Sequence, residues 1–283
     1  MLRELAELAK YRELLLNLVI RDIKVRYKNS VLGFFWSLLN PLMQVAVITV
    51  VFKFVGFADK IPNYSAYVLC AFLPWTFFQM SVLDAAQSVL QHGDLVKKTY
   101  FPREVLPASF VISNLVHFIL ALGVFFVYLL ILGTPILTTW LLLPLVVLIQ
   151  FMLTMGVAYI VSCLNVYYED VKYMVTVFLN LLFYLTPIIY FVEMVWTPDF
   201  ATRIPEYYRP LGVALARIHY MNPLSLLITT YRKILLPPAN IPGLPDLPLN
   251  YGYLTLAGAM SLVVLIAGYL FFNSRKHRFA EML

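Results

Sequence analysis

The chain has 283 residues, of which 61% are hydrophobic and only 13% charged, with a formal net charge of +6 at pH 7. Soluble domains carry roughly 25% charged residues, so this composition excludes a soluble globular protein and indicates an integral membrane protein. The surplus Lys and Arg flank apolar runs and form no separate basic surface, which excludes nucleic acid and points to anionic membrane lipids.

In chain order, residues 1–30 read as an amphipathic interfacial helix that mixes Leu2, Leu5, Leu8, Leu14, Leu15, Leu18 and Val19 with Arg3, Glu7, Arg12 and Glu13. This segment is too long and too acidic for the n-region of a signal peptide. Arg21, Lys24 and Lys28 fall on one helical face and hold the junction with the first span on the cytoplasmic side. The first span is expected over 31–57. Ser30, Gly33, Ser37, Asn40 and Gln44 share one face, with Leu32, Phe35, Leu39, Leu42 and Ala46 opposite. A polar stripe in hydrocarbon must face protein or water. Lys53 can snorkel to the outer headgroups. A second span ends near Asp84.

The segment 91–105 then carries Lys97, Lys98 and Arg103, which place it inside. Gly93 and Asp94 mark a break, and Pro102 and Pro107 bracket the start of the third span. A short stiff element between breaks suits a docking surface; a plain basic loop is the alternative. Spans three (106–132) and four (136–163) join at Gly133-Thr134-Pro135. His117, mid-span, reads as a helix–helix hydrogen-bonding group because no carboxylate shares its face. Cys70 and Cys163 sit within apolar runs and read as small apolar residues. Glu169 and Asp170 are adjacent and diverge on a helix, which argues against a cooperating catalytic pair.

Span five, 171–191, repeats the pattern of span one. Tyr173, Thr176, Asn180, Tyr184, Pro187 and Phe191 share a face, with Val175, Phe178, Leu179, Leu182 and Ile189 opposite. Tyrosines interleaved with amides suit either a sliding glycan or a packed helix interface. Residues 192–250 are too long for a turn. Asn222-Pro223 is an N-cap with proline at the first helical position, opening a helix that ends before Pro237-Pro238; 205–220 can form another. An outer re-entrant hairpin follows, read as a gate or as a solvent-facing cap. Span six covers 251–272, anchored inside by Arg275, Lys276 and Arg278. The expected fold is therefore all-α with six transmembrane helices, both termini cytoplasmic, and a permease domain over 31–283.

No glycine precedes a lysine, so a P-loop is absent, as are HExxH, CxxC and GxSxG. Few ionisable groups lie at membrane depth, which disfavours an ion-coupled carrier. Active transport would need energy from another polypeptide, and no cofactor or metal is expected on this chain.

Together, RDIKVRYKNSVLGFFWSLLNPLMQ (21–44), LVKKTYFPREVLP (95–107), NVYYEDVKYMV (165–175), LTPIIY (185–190), NPLSLLITTYRKILL (222–236) and RKHRFAEML (275–283) resemble the permease subunits of type-2 ABC polysaccharide exporters over nearly the whole length. That resemblance implies a homodimer in the bacterial inner membrane, with two copies of an ABC ATPase that use ATP and Mg. Lipid-linked polysaccharide, such as O-antigen, teichoic acid or capsule, would be the substrate. It also implies a coupling element at Gly93, Asp94, Leu95, Lys97, Lys98, Tyr100, Phe101 and Arg103, and outer gate helices within 192–250, with Asn222, Pro223, Tyr231 and Arg232. The candidate channel walls are then Ser37, Asn40, Gln44, Tyr173, Thr176, Asn180, Tyr184 and Phe191. The competing readings are a drug or small-lipid exporter and, from another class, a membrane-embedded glycosyl- or acyltransferase built on His117 or Glu169-Asp170.

Overall fold

The computed structural model describes residues 11–28, 35–54, 61, 63–191, 193, 219, 221–238 and 248–282. These form helices α1 (Arg12–Tyr27), α2 (Phe35–Phe54), α3 (Tyr64–Gln91), α4 (Gly93–Lys98), α5 (Val105–Ile131), α6 (Leu143–Tyr167), α7 (Val171–Leu185), α8 (Pro223–Leu235), α9 (Tyr251–Arg275) and α10 (Phe279–Met282), with no strand among the described residues. Four helical stretches are long and apolar enough to cross a bilayer: Tyr64–Gln91, Val105–Ile131, Thr138–Tyr167 and Tyr251–Arg278. Leu39–Phe54 in α2 and all of α7 are shorter apolar segments.

Two expected boundaries move. The second span was expected to end near Asp84, but α3 continues to Gln91 because Asp84-Ala-Ala-Gln-Ser-Val-Leu-Gln contains no breaker before His92-Gly93. The fifth was expected to reach 191, but α7 stops at Leu185, since Thr186 precedes Pro187 and the pre-proline position disfavours helical backbone. At 1.5 Å per residue, α7 is roughly 22 Å long. That is less than the roughly 30 Å hydrocarbon core. The ends of the third, fourth and sixth spans agree to within a few residues, whereas the expected start of the N-terminal helix and both ends of the first span lie outside the described residues. Gly133 (φ 67°) closes α5 in the left-handed region. Its N–H donates to Leu130 O and that of Thr134 to Leu129 O, both 3.0 Å, which satisfies the last-turn carbonyls.

Helix α3 is the axis of the bundle and packs against α2, α5, α6, α7 and α8. Its Ala66, Val68, Trp75, Val82, Ala85 and Val89 are essentially inaccessible. Phe77 stacks on Phe118 of α5 at 5.2 Å. Buried Gln150 of α6 donates to Pro74 O (2.7 Å), and Ser88 meets Ser162 at 3.1 Å, so polar side chains join α3 to α6 where apolar packing alone would not set register. Helices α6 and α9 approach each other backbone to backbone. A Cβ on Gly156 would lie 2.5 Å from Val264 O, and one on Gly268 would collide with the backbone of Gly156. Small residues allow this backbone approach, which replaces the missing hydrophobic drive between helices in lipid.

Candidate functional site

The helix break expected at Gly93 is present: α3 ends at Gln91 and α4 begins anew at Gly93. Val96 and Phe101 anchor this segment in the core, whereas Asp94, Lys97, Lys98 and Tyr100 are exposed, Tyr100 at 97%. Gly93 and Leu95 are half-buried. Asp94 and Lys98 approach to 3.6 Å across one turn. The next residues clamp the chain's far end. Arg103 donates to the Lys276 carbonyl, and Glu104, 1% exposed, holds the Lys276 ammonium with both oxygens at 3.1 and 3.2 Å. Phe279 inserts beneath, against Tyr167 and Phe272. A cleft of about 280 Å³ lies between Tyr11, residues 99–103 and Lys276-His277.

On α1, Arg21, Lys24 and Lys28 are exposed, as their shared face predicts. Arg21 also hydrogen-bonds His92, whose Nδ1 lies 2.7 Å from Ser88 O. Arg26 donates to Asp84 (2.8 Å) and to Asn114 (2.9 Å), and Asn114 in turn donates to Asp84 (2.9 Å). Tyr27 Oη lies 2.8 Å from His117 Nδ1. His117 is thus a helix–helix hydrogen-bonding group, as expected. The Arg26–Asp84–Asn114 triad escaped sequence reasoning because its members lie 58 and 88 residues from Arg26. The available signal was an aspartate near the end of a long apolar run.

The described helical residues of the two polar stripes lie on open surface. Asn40 and Gln44 are exposed and joined by a 2.9 Å hydrogen bond; Ser30, Gly33 and the Ser37 side chain lie outside the described residues. The opposite side of α2 is exposed as well, at Leu39, Leu42 and Ala46, and the contact face is instead Pro41, Val45, Ile48 and Phe52. On α7, Tyr173, Thr176, Asn180 and Tyr184 are exposed, while Leu179 is buried and Val175 and Leu182 are half-buried. Phe178, expected on the packed side, is 61% exposed. Pro187 and Phe191 leave the stripe because the helix has already ended. Phe191 is 2% exposed and packs on Tyr64 and Tyr67.

The N-cap expected at Asn222 is present: its Oδ1 accepts from Leu224 N–H at 3.0 Å, with Pro223 in the first turn. Apart from His219, the expected helix at 205–220 lies outside the described residues. Tyr231 and Arg232 are buried in the bundle. Arg232 donates to Tyr67 O (3.1 Å), Tyr190 O (3.0 Å) and Ile188 O (2.5 Å), the latter two among carbonyls freed beyond the end of α7. Its guanidinium also lies 5.3 Å from the Phe191 ring centroid. A lysine has one ammonium and no planar fork, so Arg232→Lys should lower the melting temperature, with a loss of about 1–3 kcal/mol for the orphaned carbonyls. Nearby, buried His219 lies 2.9 Å from Tyr190 Oη, and burial pushes its imidazole down to about 4. The unfolded chain then binds the proton first, so stability falls as pH drops from about 6.5 toward about 4. In a melting-temperature series, His219→Gln should flatten that fall.

Glu169 and Asp170 are exposed and make no pair with each other, and among the described residues no group of His, Cys, Asp and Glu has the arrangement of a metal site. A family model described as ABC-2 type transporter matches residues 13–236. The chain is 36% identical over 285 residues to the O-antigen export system permease protein RfbA of Myxococcus xanthus, covering 100% of both chains. It is 33% identical over 272 residues to a protein of the same name from Klebsiella pneumoniae, covering 96% of this chain and 95% of that one.

Proposed function

The chain belongs to the ABC-2 type transporter family, and from that premise we propose that it is the membrane permease of an ATP-driven exporter of lipid-linked polysaccharide, with O-antigen as the best single assignment. The observation that carries this reading is similarity from end to end with permeases named for O-antigen export. A multi-pass permease has no hydrolytic chemistry of its own; ATP and Mg belong to a separate ATPase subunit.

In this reading two copies of the chain stand side by side in the bacterial inner membrane, each with an ATPase beneath it. Six spans, counting α2 and α7 with their flanking residues, bring both termini to the cytoplasmic side. That topology keeps 14 of the 21 basic residues inside. The segment 91–105 is the coupling element, and its exposed Asp94, Lys97, Lys98 and Tyr100 meet the ATPase. The exposed faces of α2 and α7 line a channel between protomers. Asn40, Gln44, Asn180 and Thr176 offer hydrogen bonds to sugar hydroxyls, and Tyr173 and Tyr184 offer flat faces to sugar C–H patches. Residues 192–250 form the outer gate as a re-entrant hairpin, with Tyr231 and Arg232 as its anchors in the bundle. Closure of the ATPases on ATP pushes the coupling elements and opens the gate.

The reading is tested by reconstituting the chain alone and with its ATPase, with and without lipid-linked glycan. Hydrolysis that requires the partner and responds to glycan is expected; activity of the chain alone would revive the transferase alternative. Tyr184→Leu and Gln44→Leu should lower glycan export about tenfold, equivalent to about 1.4 kcal/mol, while complexes still assemble. Normal export by both would remove these faces from the channel.

A further inference from the structure

We propose that Arg26, Asp84 and Asn114, together with the Arg21–His92 contact, are positioning residues that lock α1 onto the charged end of α3, so that α1 and the coupling element move as one body during transport. The inference rests on the reading of 91–105 as the coupling element.

Two attachments define the arrangement. Arg21 meets His92, the residue on which α3 passes into α4, and Arg26 meets Asp84. Asp84 and His92 lie eight residues apart, about two turns along α3. Arg21 and Arg26 are five residues apart on α1, running the opposite way. Contacts at two separated points fix the direction of a helix as well as its position. Asn114 of α5, 3% exposed, bonds to both the guanidinium and the carboxylate, so the ion pair is held in one geometry. Tyr27–His117 adds a further link to α5.

Apolar packing holds one side of α1 to the bundle, through buried Leu18 and Val19 and half-buried Tyr11, Leu14 and Leu15, whereas Leu16, Ile20 and Val25 are exposed. The Arg26 and Asp84 side chains remain 26% and 31% exposed, and an ion pair of that kind contributes little to stability by itself. What the triad does supply is orientation. Residues 29–34 alone separate Lys28 from α2. A displacement of α4 is therefore passed through α3 to α1.

The test uses the full complex in proteoliposomes and reads glycan exported per ATP hydrolysed. Arg26→Cys with Asp84→Cys removes the latch; native Cys70 and Cys163 are buried. The untethered double variant should show a roughly two- to thirtyfold lower ratio, the range spanned by coupling changes of about 0.5–2 kcal/mol. Joining the two cysteines with a short bis-methanethiosulfonate should restore it, and reduction should abolish the rescue. A purely stabilising role would move the melting temperature without a tether-dependent ratio. An unaltered ratio without the tether, a tether that forms without rescue, or failure of the tether to form would each overturn the proposal. Should the double variant not assemble, Asp84→Asn keeps the shape without the charge, and an unchanged ratio there would overturn it too. If the unaltered complex shows no glycan-dependent hydrolysis, the reading of the chain as an exporter has failed instead.

Discussion

Gly156→Val should leave little folded protein in the membrane. A side chain at this position has no space to enter, because a Cβ alone would stand 2.5 Å from Val264 O and 2.6 Å from Leu265 N, both backbone atoms that cannot rotate aside. Helices α6 and α9 would have to separate along their whole contact. Overpacking a well-filled interior costs about 1–3 kcal/mol even where neighbours can shift, and here the neighbour is a hydrogen-bonded helix. Gly156→Ala should already lower the melting temperature measured by fluorescence-detected size exclusion, with Gly268→Ala behaving alike. Gly123 sets the control: a Cβ there meets nothing within 4 Å, so Gly123→Ala should be neutral or slightly stabilising through helix propensity. Equal behaviour of the three alanine variants would mean that α6 and α9 do not cross at these glycines.

Glu104→Ala should release the C-terminal turn from the segment that leads into α5. Glu104 and Lys276 have side-chain exposures of 2% and 15%, so removing one charge leaves the other buried beside a missing partner. Breaking such a pair costs about 3–5 kcal/mol. Lys276→Met should be comparably harmful. Replacing both, Glu104→Leu with Lys276→Met, should be milder than either single change, because no unpaired charge remains. The local readout is trypsin: cleavage after Arg275 and Arg278 should accelerate strongly in Glu104→Ala once Phe279 leaves its buried seat. Unchanged proteolysis and additive losses in the double variant would contradict the clamp.

Much of the architecture was legible because the rules that set it are local. Apolar length marked the helices that became α3, α5, α6 and α9. The break at Gly93, the turn at Gly133 and the Asn222-Pro223 cap each followed from the backbone preferences of one or two residues. Periodicity also placed Tyr173, Thr176, Asn180 and Tyr184 on one face, and that face is open. It failed where a local signal was ambiguous. Proline at 187 ended α7 before Phe191 could join the stripe, and the long run of helix formers after Asp84 carried α3 two turns farther than bilayer length suggested.

The sequence by itself determined the membrane class, the family resemblance, the element beginning at Gly93 and the polar–aromatic character of two helix faces, all of which are properties of residues close together in the chain. Only the tertiary structure decided which charges meet. Arg26 joins Asp84 and Asn114, Glu104 joins Lys276, and Arg232 reaches Tyr67, Ile188 and Tyr190. It also turned Tyr231, Arg232 and Phe191 inward and showed that α6 and α9 touch through glycine. The physical reason is that a helical period specifies a face but not its neighbour. In lipid, where apolar faces attract no particular partner, the pairing is settled by close backbone approach and by the few polar groups that must find one another.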